Sequence, residues 1–212
     1  ADDNPPESRG GCVFSADAGF ACVVYTRTAG QFALEAKMSV AGGDPVDIPG
    51  APFAVTVAPA ALSSATTSAQ GLGLRSAVAG ENATFVITAR DAYGNLLGAG
   101  GDGDKLTLEV TGPTATEAGI VDNDDGTYTG NYVTTVASSA GAEQYDLVLT
   151  VDGAEKANIR GISVSPNLPS SATSVITGAA MQGLQVAKKW RSATQFTEAF
   201  FDAHGNAVKD TA

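Results

Sequence analysis

The stretch DAYGN at residues 91–95 returns as DAHGN at 202–206, an offset of 202 − 91 = 111. IPGAPFAVTVAP (48–59) returns shortened as IRGISVSP (159–166), its final proline displaced by 166 − 59 = 107. GFACVVY (19–25) in turn aligns with GTYTGNY (126–132), glycine on glycine and Tyr25 on Tyr132. A chain that repeats itself about every 110 residues must fold as successive copies of one unit, and that length suits a single β-sandwich. With 212 residues, only the middle unit, 60–166, is expected to be complete. Residues 1–59 read as the C-terminal part of a first unit and 167–212 as the N-terminal part of a third. Those two parts together approach one period, which suggests strand exchange between chain ends. Any window two periods long leaves complementary halves, however, so a piece of a longer array is the expectation.

Within the middle unit the apolar residues alternate with the period of two that a half-buried strand requires. Phe85, Ile87 and Ala89 share a face, as do Leu106, Leu108 and Val110, then Ile120 with Asp122, then Tyr128, Gly130 and Tyr132. Tyr145, Leu147, Leu149 and Val151 form the cleanest run, and Ile162 with Val164 closes the unit. Turns rich in glycine or acid separate these runs: DAYGN, GGDGD, TGPT, DNDDG and VDG. The pattern predicts an all-β fold, tandem immunoglobulin-like Greek-key sandwiches with seven strands per complete repeat.

A net charge of −11 and a pI near 4.3 argue against nucleic acid, whose phosphates require a basic face, and against adhesion to anionic lipid. The longest nearly uninterrupted apolar stretch, APFAVTVAPAAL, is broken by prolines and falls short of the ~18 residues a membrane-spanning helix needs, so no membrane insertion is expected in this segment.

The middle unit resembles a filamin-type immunoglobulin repeat along its whole length. The resemblance rests on GLGL, AGENATFVITARDAYGN, LTLEVTGP, IVDNDDGTYTGNY, a Tyr-bearing strand ending in DG, and a closing I-x-G segment, in that order. The first unit adds IPGAPFAVTVAP, similar to the family's closing strand. D-N-x-D-G-T-Y after the G-P is fairly specific, whereas D-A-x-G-N alone would be weak. Three departures stand out. The middle unit lacks the Pro-Phe of the closing strand, Glu198 falls where Ile87 sits, and Lys188, Lys189 and Trp190 have no counterpart.

The acidic run Asp122-Asn123-Asp124-Asp125-Gly126 invites a calcium reading. An EF-hand loop needs acids at alternate positions, Gly at the sixth and Glu at the twelfth. Here Gly126 is fifth and the twelfth position is Val133, so a hairpin turn is expected, with Gly126 supplying φ > 0. The sandwich topology would still gather Asp91, Asp102, Asp104, Asp124, Asp125 and Asp152 at the pole facing the preceding repeat. These are weak candidates for a cation; a solvated acidic end that keeps neighbouring repeats apart is the reading preferred.

No catalytic residues, no metal site and no cofactor are expected. His204 is the single histidine and takes the place of Tyr93 in DAHGN, so it reads as a turn residue rather than a base. No phosphate-binding loop appears, because GAGGDGDK lacks a following helix. By the alignment Cys12 and Cys22 lie on adjacent antiparallel strands and are a candidate disulfide, with two reduced thiols as the alternative. Asn82-Ala83-Thr84 is a glycosylation sequon at the entry to a strand, and it matters only in a secreted chain.

The resemblance implies a structural module whose partners are proteins. It also implies β-augmentation, in which an extended peptide adds beside the third strand, here Lys105 to Val110, and sits in the groove before the fourth, Ala118 to Asp122. The groove candidates are Lys105, Leu106, Leu108, Val110, Ala118 and Ile120. In that family actin binding resides in a separate helical domain with no counterpart in this sequence, so this segment is not expected to bind actin by itself. Two settings remain open: a cytoplasmic or cytoskeletal scaffold, towards which this reading leans, and an extracellular adhesion array.

Overall fold

The computed structural model describes residues 8–15, 19–39, 42–114, 116–138, 144–177 and 197–209. QGLQV and the Lys188, Lys189 and Trp190 cluster lie outside the described residues. The first segment contributes β1 (Ser8–Ser15), β2 (Gly19–Thr26), β3 (Gly30–Leu34), β4 (Lys37–Met38), β5 (Val46–Asp47) and β6 (Phe53–Val57). The middle segment holds β7 (Ser68–Gln70), β8 (Ser76–Val78), β9 (Asn82–Thr88), β10 (Leu106–Thr111), β11 (Glu117–Asp122), β12 (Thr127–Val133), β13 (Tyr145–Val151) and β14 (Ala154–Ser165). The last contributes β15 (Val175–Thr177) and β16 (Thr197–Ala199).

Two four-stranded sheets, ordered β11-β12-β9-β7 and β10-β13-β14-β8, face each other in the middle segment. The faces read from alternation are the buried ones. Phe85, Ile87, Tyr128, Tyr132, Tyr145, Leu147, Leu149, Val151, Ile162 and Val164 are all buried within one cluster. Gly130 is part of the same design, because a Cβ there would run into the Phe85 ring. An aromatic from β9 thus fills the space that glycine leaves on β12.

The opening strand differs from the seven-strand expectation. It is divided: β7 pairs antiparallel with β9, a 3-10 turn at Leu72–Leu74 intervenes, and β8 pairs parallel with β14 in the other sheet. The GLGL glycines are the physical reason. A Cβ on Gly71 would lie 2.7 Å from Phe85 Cα and one on Gly73 2.7 Å from the Thr84 carbonyl oxygen, so only glycine lets the chain cross this close to β9. The Tyr132 hydroxyl donates to the Gly73 carbonyl and fastens the crossing.

In the first segment β1 and β2 form a hairpin with Cys12 opposite Cys22, and the two are bonded Sγ to Sγ. β3 pairs with β6. Val24, Phe32, Leu34, Val55 and Val57 line an open apolar depression between these pairs. In the last segment β15 pairs with β16 as β7 pairs with β9. Glu198 stands opposite Ile176 and is exposed, where its counterpart Ile87 is buried; the shared register carries a charge on an uncovered face. No helix among the described residues is long and apolar enough to cross a membrane.

Candidate functional site

The turn between β11 and β12 is held by one backbone bond and by its own side chains. The Asn123 N–H donates to the Thr127 carbonyl (3.1 Å), the Asp124 N–H to Asp122 Oδ1 (2.9 Å) and the Thr127 N–H to Asp125 Oδ1 (2.8 Å). The bonds from Thr127 hold the Asp125 carboxyl below its ordinary range, the hydroxyl first and the N–H second. Gly126 has φ +80°, as expected of it, but Asp124 also adopts a positive φ of +61°, a second left-handed residue that short polar side chains tolerate. Gly126 could not be otherwise, since a Cβ would meet the Gly98 nitrogen at 2.6 Å.

Asp102 forms an ion pair with Lys105 at 2.6 Å, and this partner holds the Lys105 ammonium above its ordinary range. Among the described residues no three His, Cys, Asp or Glu side chains stand close enough together to hold a metal ion. The notion of a wholly solvated acidic pole needs correction at Asp91, which is 1% exposed.

Four polar side chains are buried among the described residues: Thr67, Asp91, Thr134 and Asp202. Two of them are the acids that open DAYGN and DAHGN. Asp91 Oδ1 accepts from the N–H groups of Tyr93 and Asn95, both at 2.9 Å. Its Oδ2 accepts from Asn95 Nδ2 (2.7 Å) and from the N–H of Ala60 (2.9 Å), which lies in the link from the first segment. Asp202 repeats the arrangement: Oδ1 accepts from His204 and Asn206, and Oδ2 from Asn206 Nδ2 and from the N–H of Asn167 in the next link. Burial alone would raise these carboxyls. The Asn side-chain bond and the backbone N–H groups outweigh it and hold both at about 2. Gly94 and Gly205 take φ +87° and +82° with open space around them, so the turn geometry alone requires glycine.

The proposed groove strands sit as follows. β10 and β11 are each the edge strand of their sheet and run past one another at the same side of the sandwich. Leu106 and Val110 are buried in the core and Leu108 and Ile120 pack partly against it. Ala118, like Lys105, is exposed. Leu106 and Val110 are therefore not available to a docked peptide, which corrects their place in the groove; alternation turns them inward.

A family model of the filamin/ABP280 repeat matches residues 61–159. That stretch of the chain is similar to a filamin-type repeat. Its match ends within β14, where the Pro-Phe of the family's closing strand is missing. Among solved structures, the fold is similar to that of FdeC, an Escherichia coli adhesin, with 21% identity and a TM-score of 0.59 over 93% of this chain and 59% of that one. The Lin-41 filamin domain matches at 19% identity and TM-score 0.39, over 50% of this chain and 96% of that one. Yersinia pseudotuberculosis InvD matches at 16% and 0.48, over 95% and 60%. This chain thus spans about three-fifths of the FdeC and InvD structures. A search of curated proteins found no significant match.

The repeat supplies a signal that motif reading passed over. SSAT occurs at 63–66 and again at 170–173. Thr66 Oγ1 donates to the Asp91 carbonyl (2.6 Å) and Thr173 Oγ1 to the Asp202 carbonyl (2.7 Å), so each motif ties the start of its unit to its D-A-x-G-N loop. Asn82 is exposed at the start of β9.

Proposed function

We propose that this chain is a non-enzymatic segment of an extracellular adhesion array, a run of filamin-type repeats that act as spacer and as protein-docking surface. The Cys12–Cys22 bond carries the reading, since such bonds persist in oxidising compartments and are rare where thiols are kept reduced. Fold likeness to an E. coli adhesin is consistent with it. The exposed position of Asn82 leaves a sequon accessible in that setting.

The test is surface labelling of intact source cells with a membrane-impermeant amine reagent, followed by mass mapping of Cys12, Cys22 and Asn82. Labelled chain with the two cysteines bonded supports the array. Unlabelled chain with free thiols would return the cytoskeletal scaffold. A second reading, peptide addition to a sheet edge, is favoured by the free edges of β10 and β11 on one side of the sandwich. Peptides selected from a random display library against the chain should then lose binding when the exposed Ala118 is replaced by Arg. Binding that survives Ala118→Arg counts against this edge.

A further inference from the structure

The asparagine that ends each D-A-x-G-N loop reaches out of its own repeat. Asn95 Nδ2 donates to the carbonyl of Arg27 (2.8 Å) and its Oδ1 accepts from the N–H of Ala29 (3.0 Å), both in the loop after β2 of the preceding segment. Asn206 does the same one repeat later. Its Nδ2 donates to the carbonyl of Thr135 (2.8 Å) and its Oδ1 accepts from the N–H of Ala137 (2.8 Å), in the loop after β12. A carboxamide carries one donor edge and one acceptor edge, so it pairs with a C=O and an N–H two residues apart as a neighbouring strand would. The other Nδ2 hydrogen goes to the buried aspartate, which also receives the link N–H. Through the motif each joint therefore closes at three backbone points, a carbonyl and an N–H of the preceding repeat and an N–H of the link; at the second joint Asn167 Nδ2 adds a bond to the Ala79 carbonyl (3.2 Å).

We propose that D-A-x-G-N is an inter-repeat clasp whose asparagine reads only main chain on the receiving repeat. It fixes the orientation of successive repeats without specifying which repeat comes before. Aspartate orients the asparagine, glycine makes the turn, and the x position adds side-chain contact. Arg27 lies 5.6 Å over the Tyr93 ring, and the His204 ring rests against Gly80, where a Cβ would meet Nε2. The receiving side can vary in sequence as long as its loop keeps a carbonyl and an N–H two residues apart. This explains why the donor motif repeats almost letter for letter while TRTAG (26–30) and TTVAS (134–138) do not. The proposal is independent of the compartment.

Electron–electron distance measurement on the full chain tests it, with spin labels on cysteines introduced at the exposed positions Gln31 and Thr107 across the first joint, and Thr107 and Glu198 across the second. The native chain should give narrow distance distributions. Asn95→Ala should broaden the first at least twofold and leave the second narrow, and Asn206→Ala the converse. Ala29→Pro, which deletes the receiving N–H, should act like Asn95→Ala, and Thr135→Ala should leave the second joint narrow. Near-UV circular dichroism of the Tyr128, Tyr132 and Tyr145 core checks that the middle repeat is folded in each variant. Broad distributions in the native chain, or unchanged widths in both Asn95→Ala and Ala29→Pro, would overturn the clasp. Broadening by Thr135→Ala equal to that of Asn206→Ala would overturn the main-chain rule.

Discussion

Replacing Asp91 by Asn keeps the shape of the side chain and removes its charge. Two of the four hydrogen bonds, from the Tyr93 and Asn95 N–H groups to Oδ1, can persist. At Oδ2 an amide NH2 would instead confront the Ala60 N–H and Asn95 Nδ2, donor against donor at 2.9 and 2.7 Å. The size of the loss follows from the carboxyl's titration. The group is held at about 2 in the fold against 3.8 unperturbed. A tenfold change in proton affinity corresponds to roughly 1.4 kcal/mol, so the charged carboxylate contributes on the order of 2 kcal/mol. Because the folded value is the lower one, that stability is fully present above about pH 4 and is lost as pH falls through 2. Urea denaturation of the middle repeat, followed by near-UV circular dichroism at pH 7 and then in steps down to pH 2, should show Asp91→Asn less stable by about 2–3 kcal/mol at neutral pH. Its stability should also fall less steeply than the native chain's between pH 4 and 2. A variant within about 0.5 kcal/mol of the native chain at pH 7, with the same acid slope, would refute the reasoning that this buried charge is a stabilising cap.

Gly130→Ala forces a Cβ into the buried Phe85 ring and should cost about 1–3 kcal/mol by urea denaturation. Gly119→Ala, whose new Cβ meets nothing closer than 3.7 Å, should stay within about 0.5 kcal/mol. Tyr132→Phe strands the Gly73 carbonyl at the crossing of the divided first strand and should destabilise the middle repeat by about 1–3 kcal/mol. The paired change of Cys12 and Cys22 to Ser opens a hairpin closed by a bond of sequence separation 10. It should lower hydrogen-exchange protection across β1 and β2 by an equivalent of about 2.5 kcal/mol while leaving β9 and β13 unchanged.

Sequence alone determined the repeat, its length and its inward faces. Alternation along Tyr145–Val151 needs no partner to be legible, since one strand with one buried face writes a period of two. It also determined that DNDDG is a turn, because the spacing of Gly126 and Val133 rules out the loop geometry of an EF-hand. Even the glycines of GLGL were visible, though not their purpose: the backbone of Phe85 that excludes a Cβ at Gly71 lies 14 residues away in sequence (85 − 71).

Tertiary structure decided what the acids do. Read locally, Asp91 is one more carboxylate in an acidic pole, and self-repulsion is the natural inference from a net charge of −11. Its burial depends on the Ala60 N–H, 31 residues back, and on an asparagine whose own partners lie at Arg27 and Ala29, 68 and 66 residues back. Hydrogen bonding to backbone across such separations leaves no pattern in side-chain chemistry, because every residue but proline offers the same N–H and C=O. The donor half of the joint is therefore written in the sequence as a motif, and the receiving half exists only once the preceding repeat has folded.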